Sequence, residues 1–299
     1  MMVKPPTFDG YSDQYTLDCE RGLVTLPRGM GPWKDSVYLV GGLTPRYLVS
    51  AWPSVVPAHA GNLDVDMGID LQILTNTESC QTLEKNLRRM GFGRAENEQG
   101  VKHSCRLNTR TELGALMVLE LLADAPQMAG GRVQPLPTDG TISALDIPHS
   151  WNFIELDQVA EFRAELLGEN GTATELVAHA EIVSFTCLKA LAFDQRFERK
   201  DAHDLIYCIE YAPEGLDAVV APFGRALSGK HAAVTRGALN VIRRRFAGDE
   251  PTDGYRKDGP NSVGKFELDK GQDPKQREAR VLRQRLASDL ADRLLAGIG

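Results

Sequence analysis

The first ordered apolar run in the chain is residues 37–40, VYLV, and it stops at Gly41-Gly42. A short apolar run closed by glycine predicts a strand ending in a turn. Residues 43–49 then read as a helix, with Pro45 in the first turn, where its missing N–H goes unused. Residues 63–74 change period. Leu63, Val65, Met67 and Ile69 fall on one parity, and Asp64, Asp66, Gly68 and Asp70 on the other. Strict alternation predicts a strand with one apolar and one acidic face. A helix capped by Thr77 and reaching Met90 follows, then strands at 102–109, 114–122 and 141–147. Residues 1–33, rich in Gly, Pro and Asp, read as an irregular arm.

Beyond Gln158 the spacing turns helical, with expected helices at 159–167, 182–196, 200–211, 214–227, 232–246 and 276–296 and a polar loop at 249–274. The expected fold class is α/β (α+β). A mixed sheet with flanking helices would occupy residues 1–157, and a helical bundle 158–299.

Composition adds little to that picture, but charge changes it. The chain has 299 residues, 42% of them hydrophobic, and a net charge of −7. That is ordinary globular composition, which excludes disorder, collagen and coiled coil. The net charge alone argues against a nucleic-acid partner, yet it hides two pieces. Residues 1–221 carry 18 basic and 31 acidic residues, and 222–299 carry 16 and 10. Between Pro222 and Gly248 stand Arg225, Lys230, Arg236, Arg243, Arg244 and Arg245, with no Asp or Glu. This segment is either a polyanion surface or a helical face docked on acidic protein. Five widely spaced cysteines without a C-x-x-C pair predict reduced thiols. No run approaches the length of a membrane span or of a signal sequence, so a cytoplasmic protein with no membrane partner is expected.

The sharpest chemical feature is Asp64-Val65-Asp66 in an extended segment, because residues i and i+2 leave the same face of a strand. Two carboxylates aimed at one point repel unless a cation lies between them. Mg²⁺ or Mn²⁺ suits oxygen ligands and keeps positions for phosphates. The alternative is a strand whose outer face is merely polar. Glu120 stands alone in the apolar run LMVLELL, and a buried charge there needs a ligand or a partner. It completes a three-carboxylate site if its strand lies beside the first. Gly41-Gly42, ahead of the acidic strand, offers backbone N–H groups to phosphate oxygens. His59, just before that strand, reads as a structural residue or a phosphate contact.

The runs VYLVGGLTPRYLV and HAGNLDVDMGIDL resemble the first two motifs of the nucleotidyltransferase fold, in particular of the AbiEii/AbiGii-type toxin family. The downstream run CLKALAFDQRFERKDAHDLIYCIEY resembles that family's later Lys and Asp motifs, and the likeness spans residues 37–211. By this resemblance Gly41, Gly42 and Thr44 belong to a nucleotide loop, and Asp64, Asp66 and Glu120 hold divalent metal. Lys189 offsets triphosphate charge, and Asp201, with Asp204 as a further candidate, joins the catalytic set. On physical grounds Lys189 could equally pair with Asp201 or Asp204, which lie on one face at a helix start. Leu43 stands between Gly-Gly and Thr44, and the third acid is Glu where Asp is commoner. The resemblance implies a metal-dependent nucleotidyltransferase moving NMP from an NTP to a hydroxyl. Its acceptor would be RNA such as tRNA held by residues 222–248, and its setting a toxin with an antitoxin protein or phage defence. The alternative is a non-catalytic nucleotide- or protein-binding module on the same fold.

Overall fold

The apolar run at Val37–Val40 forms strand β1, and the acidic segment forms β2, Asp64–Ile69. The structure is a computed structural model that describes residues 4–49, 56–70, 83–112, 114, 116–123, 132–136, 140–147, 155–249, 251–268 and 274–299. The expected Thr77 cap lies outside these residues; within them the helix expected to reach Met90 is α3, Leu83–Arg89, after α1 (Asp13–Met30) and the single turn α2 (Pro45–Leu48). Further strands are β3 (Gly93–Glu96), β4 (Lys102–Arg110), β5 (Leu116–Ala123), β6 (Val133–Pro135), β7 (Ser143–Asp146), β8 (Asp157–Glu165) and β9 (Thr172–Ala180). The remaining helices are α4 (Ile182–Arg196), α5 (Arg199–Glu210), α6 (Leu216–Ser228), α7 (Ala232–Arg245), α8 (Asp258–Leu268) and α9 (Pro274–Ile298). The protein is therefore mixed α/β, a sheet with flanking helices followed by a helical region.

The described chain forms two compact units, one of residues 12–44 and 61–180, the other of 4–11, 45–60 and 181–299. In the first, the described strands make one mixed sheet in the order β3-β4-β5-β2-β1-β9-β8, with β7 also on β5 and β6 on β7. β2 runs antiparallel to β1 and parallel to β5, so Val40 and Glu120 both lie opposite Asp66. Val65, Met67, Leu119 and Leu121 are fully buried on one face of this centre. Alternation puts Asp64, Asp66 and Glu120 on the other.

Four expectations fail. Residues 13–30 are helix rather than an irregular arm. Ser12 caps it by accepting from the Tyr15 N–H at 3.3 Å, and Cys19, Leu23, Leu26 and Met30 repeat on its buried side. Its breakers are used for packing: a Cβ on Gly22 would meet Met117 Sδ at 2.2 Å, so glycine lets α1 lie close on the apolar face of the sheet. Residues 159–167 are not a helix; β8 pairs with β9 from Asp157↔Ala180 to Glu165↔Thr172. Val159, Phe162 and Leu166 match helical spacing, but the hairpin splits them. Phe162 is buried while Val159 is 62% exposed. The expected boundary at 157/158 thus falls at the start of β8, and the sheet unit runs on to Ala180.

In the second unit the expected loop at 249–274 contains α8. Gly259 and Gly264 lower its helical propensity, but the ring of Phe246 lies 2.5 Å from where a Gly259 Cβ would stand. Val263 and Phe266 bury the other side. Close packing that only glycine permits outweighs local preference here. The other expected helices of this unit are present within a few residues. Leu23→Ala in α1 is expected to destabilise the first unit by about 2–5 kcal/mol, as buried Leu truncations do. Chemical denaturation checks this, and an unchanged midpoint would mean that α1 is not part of the sheet's core.

Candidate metal centre

One ligand oxygen from each of Asp64, Asp66 and Glu120 lies within 4.8 Å of the others. The register explains it. Asp66 and Glu120 face each other across the parallel β2–β5 pair, and Asp64 precedes Asp66 by two residues on the same face. Asp64 is buried, and Asp66 and Glu120 are half-buried. Arg106 is Glu120's register partner on β4, and its guanidinium pairs with the Glu120 carboxylate. Sequence reasoning missed Arg106. Its only signal was its place in the strand preceding Glu120.

The turn after β1 closes on this cluster. Gly41 has φ +74°, and a Cβ there would stand 1.9 Å from Asp66 Oδ2. Glycine is needed for both the backbone angle and the space. Gly42 and Leu43 are buried, and Thr44 donates its N–H to the Gly41 carbonyl at 3.3 Å. The Thr44 hydroxyl is fully buried, with no hydrogen-bond partner among the described residues. The residue that the resemblance assigns to the nucleotide loop is thus buried in the interior.

The entry to β2 is anchored from α1. Thr16 Oγ1 accepts from the Asn62 N–H at 3.1 Å, and the Asn62 side chain donates to the Asp64 carbonyl. Cys19 donates to the Asn62 carbonyl at 3.9 Å. Burial, and then the charges of Asp64 and Asp66, push the Cys19 thiol up, so it stays protonated.

Lys189 and Asp201 belong to the second unit and meet in a buried ion network. Lys189 Nζ donates to Asp201 Oδ1 at 3.0 Å and to Asp204 Oδ2 at 2.7 Å. Arg196 grips Asp201 through two bonds of 2.6 and 2.8 Å, and Lys200 reaches both Asp204 oxygens at 2.9 Å. Burial alone would pull Lys189 down, but Asp204 and Asp201 raise its pKa; burial would raise both aspartates, but their cations lower them. Of the two partners open to Lys189, carboxylate or triphosphate, the carboxylates hold it. Asp201 likewise has both oxygens engaged.

His59 donates from Nε2 to Asp204 Oδ1 at 2.9 Å, which makes it a structural residue of this network. Its pKa is pushed down to about 3 by burial and by the nearby charge of Lys200. His203 stacks on His59 at 5.6 Å and donates from Nδ1 to Glu267 at 2.8 Å. His59, His203 and Asp204 also converge within 4.8 Å. Lys189 and Lys200 already occupy the Asp204 carboxylate, and two ammonium groups there repel a further cation. Chemically this is an ion-pair and hydrogen-bond network. Sequence reasoning missed Lys200 and Glu267, although Lys200 and Asp204 stand at i and i+4.

The basic stretch covers most of α6 and all of α7. Arg225, Lys230, Arg236, Arg243 and Arg244 are exposed and Arg245 half-buried. Asp194 takes Arg244 at 2.6 Å and Arg245 at 2.8 Å, and Asp258 takes Arg245 at 2.8 Å. Acids of the same unit therefore pair with Arg244 and Arg245. Among the described residues no helix is long and apolar enough to cross a membrane, and the four described cysteines are unbridged.

Comparison of the chain with family models, curated proteins and solved structures finds no match.

Lys189→Met is expected to cost about 3 kcal/mol in denaturant unfolding, because it removes the one cation shared by two buried carboxylates and leaves Asp201 to Arg196 and Asp204 to Lys200 and His59. Acid should weaken the second unit through His59. The unfolded imidazole protonates below its ordinary 6.5, while the folded one resists until about 3. Stability is then lost as pH falls from about 6.5 toward 3. Glu267, held down to about 2 by His203 and Arg283 against its burial, adds a loss as pH falls below 4.5. Melting curves from pH 7 to 5 should slope less in His59→Gln, and equal slopes would contradict the assignment.

Proposed function

We propose that this protein is a metal-dependent nucleotidyltransferase that moves NMP from an NTP to an acceptor hydroxyl. The observation that carries the reading is the convergence of Asp64, Asp66 and Glu120 beside a Gly41 turn with no room for a side chain. All three groups offer oxygen, the donor that Mg²⁺ and Mn²⁺ prefer, and their crowding calls for a cation. Asp64, Asp66 and Glu120 would hold it. Such an ion would supply charge neutralisation on the phosphates and a lowered pKa for the attacking hydroxyl.

The transfer forms a bond from the acceptor oxygen to the α-phosphorus and breaks the bond from that phosphorus to the pyrophosphate oxygen. A carboxylate of the cluster takes the hydroxyl proton, and pyrophosphate leaves with the electron pair. Gly41 and Gly42 bring backbone close to the phosphates. Lys189 and Asp201 support the second unit through each other. The exposed arginines Arg225, Arg236 and Arg243 suit an RNA acceptor such as tRNA. The resemblance to AbiEii/AbiGii-type proteins supports a cytoplasmic toxin paired with an antitoxin, or a phage-defence role.

One observation favours a second reading, a binding module without turnover. The lysine expected to offset triphosphate charge is held by Asp201 and Asp204. Calorimetric titration of each NTP with and without Mg²⁺ separates the readings from a bland scaffold. Binding should require metal and vanish in the Asp64→Asn, Asp66→Asn double variant; binding that ignores both changes would exclude the metal centre. Labelled NTP incubated with tRNA and with protein then tests turnover, and label in neither fraction favours the module.

A further inference from the structure

Arg106 is absent from the three-acid pattern, yet it is built into the cluster. It stands opposite Glu120 in the β4–β5 register, on the face that carries Asp64 and Asp66, and its Nη2 pairs with Glu120 Oε1. With each group ionised, the three carboxylates and the guanidinium sum to a formal charge of −2. That matches one divalent ion. A guanidinium keeps its charge at any physiological pH, so this offset is permanent. Both members keep contact with solvent, with Arg106 29% and Glu120 18% exposed at the side chain, so water screens the offset they make.

We infer that Arg106 is the internal counter-cation of the metal centre: it orients Glu120 by one oxygen, takes the place of a second cation, and limits the nucleotide-free protein to one divalent ion. This rests on the metal-centre reading above. Arg106 is a positioning residue, since it acts on the ion through Glu120 and through its charge. A cross-strand Arg–Glu pair also steadies a sheet by a few tenths of a kcal/mol to about 1 kcal/mol. That role alone would leave metal number and affinity unmoved.

The test is Mn²⁺ binding to the full chain, followed by calorimetry and by the loss of the free-ion EPR signal. The wild type should take up one ion. Arg106→Gln, which keeps a donor for Glu120 but drops the charge, should bind it about tenfold more tightly. That is the order of the repulsion between a divalent ion and a nearby single positive charge screened by water. Arg106→Lys, which keeps the charge, should bind like the wild type. Two ions on the wild type, or unchanged or weaker binding in Arg106→Gln, would overturn the inference. The wild-type stoichiometry decides even if a variant fails to fold. If instead the wild type binds no Mn²⁺, or binds it equally well with Asp64 and Asp66 changed to Asn, the metal-centre reading itself fails.

Discussion

The crowding of three carboxylates on one face is the constraint on which the candidate site in the sheet unit depends. The strand registers force it: β2 and β5 run parallel with Asp66 opposite Glu120, and pleating adds Asp64 to the same face. Each neighbouring feature answers that crowding. Arg106 offsets one charge from β4, and Gly41 gives Asp66 room beneath the β1 turn. Asn62 and Thr16 tie down the backbone that enters β2. This gathering of acidic oxygen donors is the feature on which the proposed metal reading rests.

The second unit solves a related problem by different means. Burying Lys189, Lys200, Asp201 and Asp204 together costs desolvation for every charge, recovered only if each finds partners of opposite sign. The hydrogen bonds supply those partners: Lys189 to both aspartates, Arg196 to Asp201 and Lys200 to Asp204, while the neutral His59 adds a hydrogen bond to Asp204. His203, Glu267 and Arg283 extend the network, with Arg283 bonding Glu267 at 3.1 Å through Nη2 and Glu210 at 2.8 Å. An internally balanced network specifies one arrangement of α4, α5, α8 and α9, and it leaves Lys189 little reason to reach for a ligand.

Much of the fold was legible where one local signal dominated. The alternation in β2, the glycine stop after β1 and the amphipathic spacing of α4 to α7 and α9 each match the structure within a few residues. The misreadings share a cause. In α1 and α8, glycine and proline lower helical propensity, while close contacts such as Gly22 on Met117 and Gly259 on Phe246 restore the helix. In β8, a helical spacing of Val159, Phe162 and Leu166 lost to pairing with β9. Leu166–Gly171 closes that hairpin with Gly168 and Gly171 at positive φ, a turn signature already present in the residues.

By itself the sequence determined a strand with two acids on one face, a lone glutamate in an apolar strand, a glycine turn ahead of them and a helical second half. These follow from periodicity and from the backbone limits of Gly and Pro, which are local. Only the tertiary structure decided that β5 lies parallel beside β2 in the register that sets Glu120 against Asp66. It alone placed Arg106 on Glu120 and Lys189 between Asp201 and Asp204. Those outcomes depend on strand order and on which charges are buried together, and no local pattern encodes either.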